Sequence, residues 1–116
     1  MGLLDILFGP PVPEMTVQAF EAALRSGRVH AIDVREHVEW KKGHIEGVQH
    51  IPLSHLKHQL GDIPRDRPIA IICRSGHRSA VAARMMLKAG FTEVYSVRGG
   101  MNAWVKAHLP VREFAN

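Results

Sequence analysis

With a single cysteine in 116 residues, the chain cannot close an intramolecular disulfide, so nothing in it calls for an oxidising compartment. Aromatic residues make up only 6% and the basic residues are dispersed, as in Lys41-Lys42 and Arg65-Asp66-Arg67. The net charge of +4 therefore comes with no stacking ladder and no polybasic run, and no nucleic acid is expected as a partner. No apolar run approaches the roughly 20 residues that a membrane-spanning helix needs, so no stable membrane insertion is expected. The opening MGLLDILFG is apolar but lacks the basic start of a signal peptide. His55 and His58 could share one helix face, yet no third ligand accompanies them, so neither metal nor other cofactor is expected. These absences point to a cytoplasmic protein whose thiol stays reduced.

What is present has ordinary globular composition, 46% hydrophobic and 22% charged, and the length of one domain. Residues 1–14 read as an apolar segment and a Pro-rich linker, the former expected as a short helix against the domain or against a second copy in a weak homodimer. Residues 15–116 read as the folded unit. Thr16 is placed to cap a helix with an apolar stripe at Val17, Phe20 and Leu24, stopped by Gly27. Strands are expected at Val29–Val34, Val48–Ile51, Ile69–Ile72 and Glu93–Val97. Short helices are expected from Glu36 to Lys42, where Trp40 packs on the core or closes a gap, and from a Ser54 cap to Leu60. A helix from Ser79 to Ala89, buried on most sides and ended by Gly90, and one from Met101 to His108 complete the pattern. Strands alternating with helices imply an α/β sandwich around a mainly parallel sheet.

The stretch Ile69-Ala-Ile-Ile-Cys73-Arg-Ser-Gly-His-Arg-Ser79 organises the rest. A buried strand delivers Cys73 into a loop that leads into a helix. Unpaired amides at the helix start and the cations Arg74 and Arg78 both favour thiolate over thiol. Gly76 supplies the freedom to wrap amides into an anion-binding concavity. A free cysteine at a strand end is often inert, but an inert one has no use for two arginines and a glycine in the next five positions. Ser79 is expected to cap the helix, and His77, within the loop, to shape the pocket. Four residues separate Cys73 from Arg78, one fewer than in the Cys-x5-Arg loops of cysteine phosphatases, which disfavours a phosphatase or arsenate reductase.

Cys73-Arg-Ser-Gly-His-Arg-Ser79 resembles the active-site loop of single-domain rhodaneses. Asp33-Val-Arg-Glu-His-Val-Glu-Trp-Lys-Lys-Gly-His-Ile-Glu-Gly-Val-Gln-His-Ile-Pro52 resembles the family's N-terminal signature, and Val97-Arg-Gly-Gly-Met-Asn-Ala-Trp104 its C-terminal one. Val48 departs from the small residue more usual there. The resemblance implies a rhodanese-like three-layer sandwich with about five strands, the first a short one near Glu14 to Thr16. It also implies sulfane-sulfur transfer through a persulfide on Cys73, with Arg74, Ser75, Gly76, His77, Arg78 and Ser79 binding the substrate, the Ser79 hydroxyl also placed to face the sulfur, and Asp33 and Arg35 supporting them; the alternatives are a structural pair of Arg78 with a carboxylate and a strand-end ion pair of Asp33 with Arg35. Thiosulfate or a persulfide would be the small anionic donor, and cyanide or an external thiol the acceptor, because no second cysteine can resolve the intermediate. A binding or regulatory module that keeps the fold without turnover is the alternative.

Overall fold

The computed structural model of the chain describes residues 9–113. Five strands, β1 (Glu14–Met15), β2 (His30–Asp33), β3 (Gln49–His50), β4 (Ile69–Ile72) and β5 (Val94–Val97), form one sheet in the order β1-β5-β4-β2-β3. Every pairing is parallel. The central strand, β4, is Ile-Ala-Ile-Ile, buried at all four positions, the continuous apolar run that a strand covered on both faces requires. Its side chains alternate between two cores. Ile69 and Ile71 face one, with Ile32, Leu56, Ala83 and Met86; Ala70 and Ile72 face the other, with Phe20, Met101 and Trp104.

Those cores are closed by helices α1 (Val17–Arg25) and α5 (Gly100–Lys106) on one side and α3 (Leu53–Gln59) and α4 (His77–Lys88) on the other, giving three layers. The short α2 (His37–Lys42) follows β2, and a 3₁₀ turn, Leu60–Asp62, follows α3. The Thr16 hydroxyl accepts from the Ala19 amide at 3.1 Å to start α1, and Gly27 leaves it at a φ of +71°. Phe20 meets Trp104 edge-on at 5.9 Å, joining α1 to α5. Val48, the departure from the signature, is buried in this same core.

Three expected helix features differ. Pro52, not Ser54, stands at the start of α3, where its fixed φ of −52° carries extended chain into the helix while the Leu53 amide donates to the Val34 carbonyl. Helix α4 begins at His77, so Ser79 lies inside its first turn and Gly76, at a φ of +106°, takes the capping position. Nor is α4 buried on most sides: Ser79, Ala82, Ala83 and Met86 form a single buried stripe, and Val81 is 41% exposed. Its end is as expected, with the Phe91 amide bonded to the Met86 carbonyl and the Phe91 ring in the core.

The proline-rich stretch lies on the domain. The Pro10 carbonyl accepts from Arg84, Val12 packs against the α3–α4 core, and the Pro13 carbonyl accepts from the Ser96 amide at 2.9 Å. The helix expected in the opening residues falls, up to Phe8, outside the described residues. Among the described residues no helix is long and apolar enough to cross a membrane.

Candidate active site

The C-terminal ends of β2, β4 and β5 meet at one edge of the sheet, the usual place for a site in a parallel α/β fold. Cys73 leaves β4 there, fully buried. Its carbonyl accepts from the Met101 amide at 2.8 Å, and the Arg74 carbonyl accepts from the Asn102 amide at 3.0 Å. The first turn of α5, whose amides have no partner within their own helix, thus anchors the carbonyl side of the loop. On the amide side, the Gly76 N–H donates to the Cys73 sulfur at 3.0 Å. The close approach requires Gly100: at a φ of +54°, a Cβ there would run into the Cys73 carbonyl oxygen and lie 2.7 Å from the Arg74 carbonyl carbon.

Ser79 serves the sulfur rather than the helix end. One turn into α4 and completely buried, its hydroxyl lies 3.4 Å from the Cys73 sulfur and 2.7 Å from the buried hydroxyl of Ser96 on β5. Ser96 was not among the expected site residues. The only signal for it is a hydroxyl at an inward position of an otherwise apolar strand, Val-Tyr-Ser-Val.

Arg78 is paired with a carboxylate. Its guanidinium grips the Glu39 carboxylate with two parallel bonds of 2.7 and 2.8 Å. The hydrogen bond from Arg78, above all, holds the Glu39 carboxyl down from the ordinary 4.5 to about 2, against the effect of burial and with help from the Glu36 amide. In return the pair raises the Arg78 pKa, and negative charge on Cys73 adds to that. Glu39 was also missed, although half its role is legible locally: with Glu36 it forms a capping box at the start of α2.

Asp33 and Arg35 form a buried ion pair at the end of β2, the Arg35 Nε lying 3.1 and 3.0 Å from the two carboxylate oxygens. Arg35 also donates to the carbonyls of Gly43 at 2.7 Å and Glu39 at 3.4 Å. It thereby fastens the middle of α2 and the residue that ends it, and through Glu39 and Arg78 the tie extends to α4. Neither Asp33 nor Arg35 bonds to the loop directly.

Arg74, Ser75 and His77 are exposed at the rim. Among the described residues the Arg74 guanidinium has no hydrogen-bond or ion-pair partner; it lines a groove of about 430 Å³ with Lys42, Met101, Asn102 and Val105. Trp40 packs outside the core, stacked between His44 at 3.9 Å and His50 at 4.6 Å. No group of three or more His, Cys, Asp or Glu side chains among the described residues could hold a metal ion.

Residues 16–107 match the model of the Rhodanese-like domain. The chain is 42% identical over 94 residues to YrkF of Bacillus subtilis, whose name proposes a sulfur-carrier role; the match covers 80% of this chain and spans about half, 51%, of that protein. To the thiosulfate sulfurtransferase GlpE of Vibrio cholerae it is 30% identical over 95 residues, covering 82% of this chain and 90% of that one. A rhodanese-related protein from Thermoplasma volcanium superposes with a TM-score of 0.80 at 28% identity, over 87% of this chain and 98% of that one. With its five parallel strands, its two helical layers and its cysteine loop after β4, the chain belongs to the rhodanese-like domain family.

Proposed function

We propose that the chain is a sulfurtransferase of the thiosulfate sulfurtransferase type, which carries sulfane sulfur on Cys73. The observation that carries this reading is the environment of the Cys73 sulfur. It lies at the start of α4, receives the Gly76 amide at 3.0 Å and has the Ser79 hydroxyl 3.4 Å away, a set of donors suited to negative sulfur. The name of the Vibrio cholerae relative supports the same chemistry.

In the first half-reaction the Cys73 thiolate attacks the outer sulfur of thiosulfate. A bond forms from Sγ to that sulfur, the original sulfur–sulfur bond breaks, and sulfite leaves with the electron pair. Arg74, unpaired at the rim, attracts the dianion, with Ser75 and His77 beside it. The terminal sulfur of the persulfide carries the negative charge, which the Gly76 amide and the positive end of α4 stabilise. In the second half-reaction cyanide or an external thiolate attacks that terminal sulfur, the sulfur–sulfur bond breaks, and Cys73 leaves as thiolate. The one cysteine of the chain leaves resolution to the acceptor.

Intact mass is the test. Incubation with thiosulfate is expected to add about 32 daltons, one sulfur atom. Cyanide or a thiol should remove it, and Cys73→Ser should never acquire it. No gain from thiosulfate, glutathione persulfide or polysulfide would leave the binding-module reading in its place.

A further inference from the structure

The buried hydroxyls behind the sulfur form a directed pair that the reaction above does not use. Ser96 is 1% exposed and Ser79 is 0% exposed, with 2.7 Å between their oxygens and 3.4 Å from Ser79 to the sulfur. Each hydroxyl has one hydrogen to give and rotates to suit its neighbours. If the sulfur is a thiol, its hydrogen and those of the two hydroxyls share only two contacts, sulfur to Ser79 and Ser79 to Ser96, so one of the three hydrogens is left over; among the described residues the Ser96 hydroxyl has no other hydrogen-bond partner. If the sulfur has lost its proton to a base in solvent, the two hydroxyls align in one direction. Ser96 donates to Ser79, Ser79 donates to the sulfur, and the Gly76 amide supplies a second bond to it. Every hydrogen of the set then has an acceptor. An unmet buried donor is costly, so the second arrangement is favoured.

We infer that Ser96 is a positioning residue for Cys73: through the Ser79 hydroxyl it biases the sulfur toward its ionised, transfer-competent form. No proton travels along the pair; the hydroxyls only reorient. The inference deepens the sulfurtransferase reading and rests on it for its biological use. The geometric effect on the thiol is measurable without any transfer.

The test is the rate of Cys73 alkylation by iodoacetamide as a function of pH in the full chain, for wild type, Ser96→Ala, Ser79→Ala and the double variant. Ser96→Ala should move the midpoint of the profile upward by about half a pH unit, as the loss of one neutral hydrogen bond behind the hydroxyl that faces the sulfur would. Ser79→Ala should move it at least as far. In the Ser79→Ala background, removing the Ser96 hydroxyl should produce no further shift, because its only route to the sulfur is gone. An unchanged midpoint for Ser96→Ala would overturn the inference, as would an equal shift with and without Ser79, which would mark a packing effect. Ser96→Gly, which also removes the hydroxyl without adding an atom, repeats the test should the alanine variant fold poorly. Failure of thiosulfate to load sulfur on wild type would count against the proposed function and leave these profiles intact.

Discussion

Glu39 and Arg78 show how a residue identified by its neighbours in sequence can take its role from one far away. The motif places Arg78 beside the sulfur, and its cation is there, but its hydrogen bonds go to a carboxylate 39 positions earlier in the chain. No local pattern encodes that partner, because sheet topology alone brings α2 and α4 together. Ser79 was expected in the site, but its contact with Ser96 is hidden for the same reason, with 17 positions between them. Cys73, Gly76 and the rim residues were legible because strand, loop and helix are contiguous. The ion pair has a defined pH signature. The folded Glu39 carboxyl sits near 2, below its ordinary 4.5, so the folded state holds its proton less tightly than the unfolded chain. Its stabilisation is therefore complete above about pH 4.5 and lost as the pH falls toward 2. The two side chains remain 31% and 22% exposed, so solvent screens the pair. Glu39→Gln should lower the unfolding free energy by about 1 kcal/mol at neutral pH. Urea unfolding repeated at decreasing pH should show the gap closing by pH 2, and a constant gap would mean that packing rather than charge is responsible.

At the scale of elements, the continuous apolar run of β4 and the Thr16 cap and Gly27 stop of α1 make the sandwich readable in the sequence. The start of α4 was misjudged because a residue such as Ser79 is an acceptable cap in the abstract. The chain instead uses a left-handed Gly76, which frees the serine to point at the sulfur. The part of α5 was likewise invisible. Gly99-Gly100 reads as a turn, whereas the seven-residue helix after it holds the carbonyls of Cys73 and Arg74 and so sets which way the loop amides face. Gly100→Ala tests this coupling of one element to another. The added methyl group would lie 2.7 Å from the Arg74 carbonyl carbon and 2.8 Å from its oxygen, so the loop or the helix has to shift. Overpacking of this kind costs about 1–3 kcal/mol. Sulfur loading by thiosulfate should fall by more than the loss of folded protein accounts for, because the Gly76 amide moves with the loop. A variant as destabilised as expected but loading normally would show that α5 supports the fold and not the site.

For the whole molecule, the decisive contrast is between neutralised and unneutralised charge. Arg78, Arg35, Arg98 and Arg112 each hold a carboxylate, and the buried Arg35–Asp33 pair adds nothing to the outward field. Arg74 holds none among the described residues and stands at the rim, on a protein of net charge +4. An incoming dianion is therefore drawn by the overall charge and met at the rim by Arg74, with Lys42 in the same groove. Steering of this sort weakens as the screening length shrinks from about 30 Å at 0.01 M salt to about 10 Å at 0.1 M. The second-order rate of loading by thiosulfate should accordingly fall as salt is raised. Arg74→Ala should cut the low-salt rate by about tenfold and flatten the salt dependence. Alkylation of Cys73 by neutral iodoacetamide should respond far less to either change, since an uncharged reagent feels no long-range attraction. If Arg74→Ala slowed both reactions equally, the arginine would be acting on the sulfur itself, and the donor would reach the loop without electrostatic guidance.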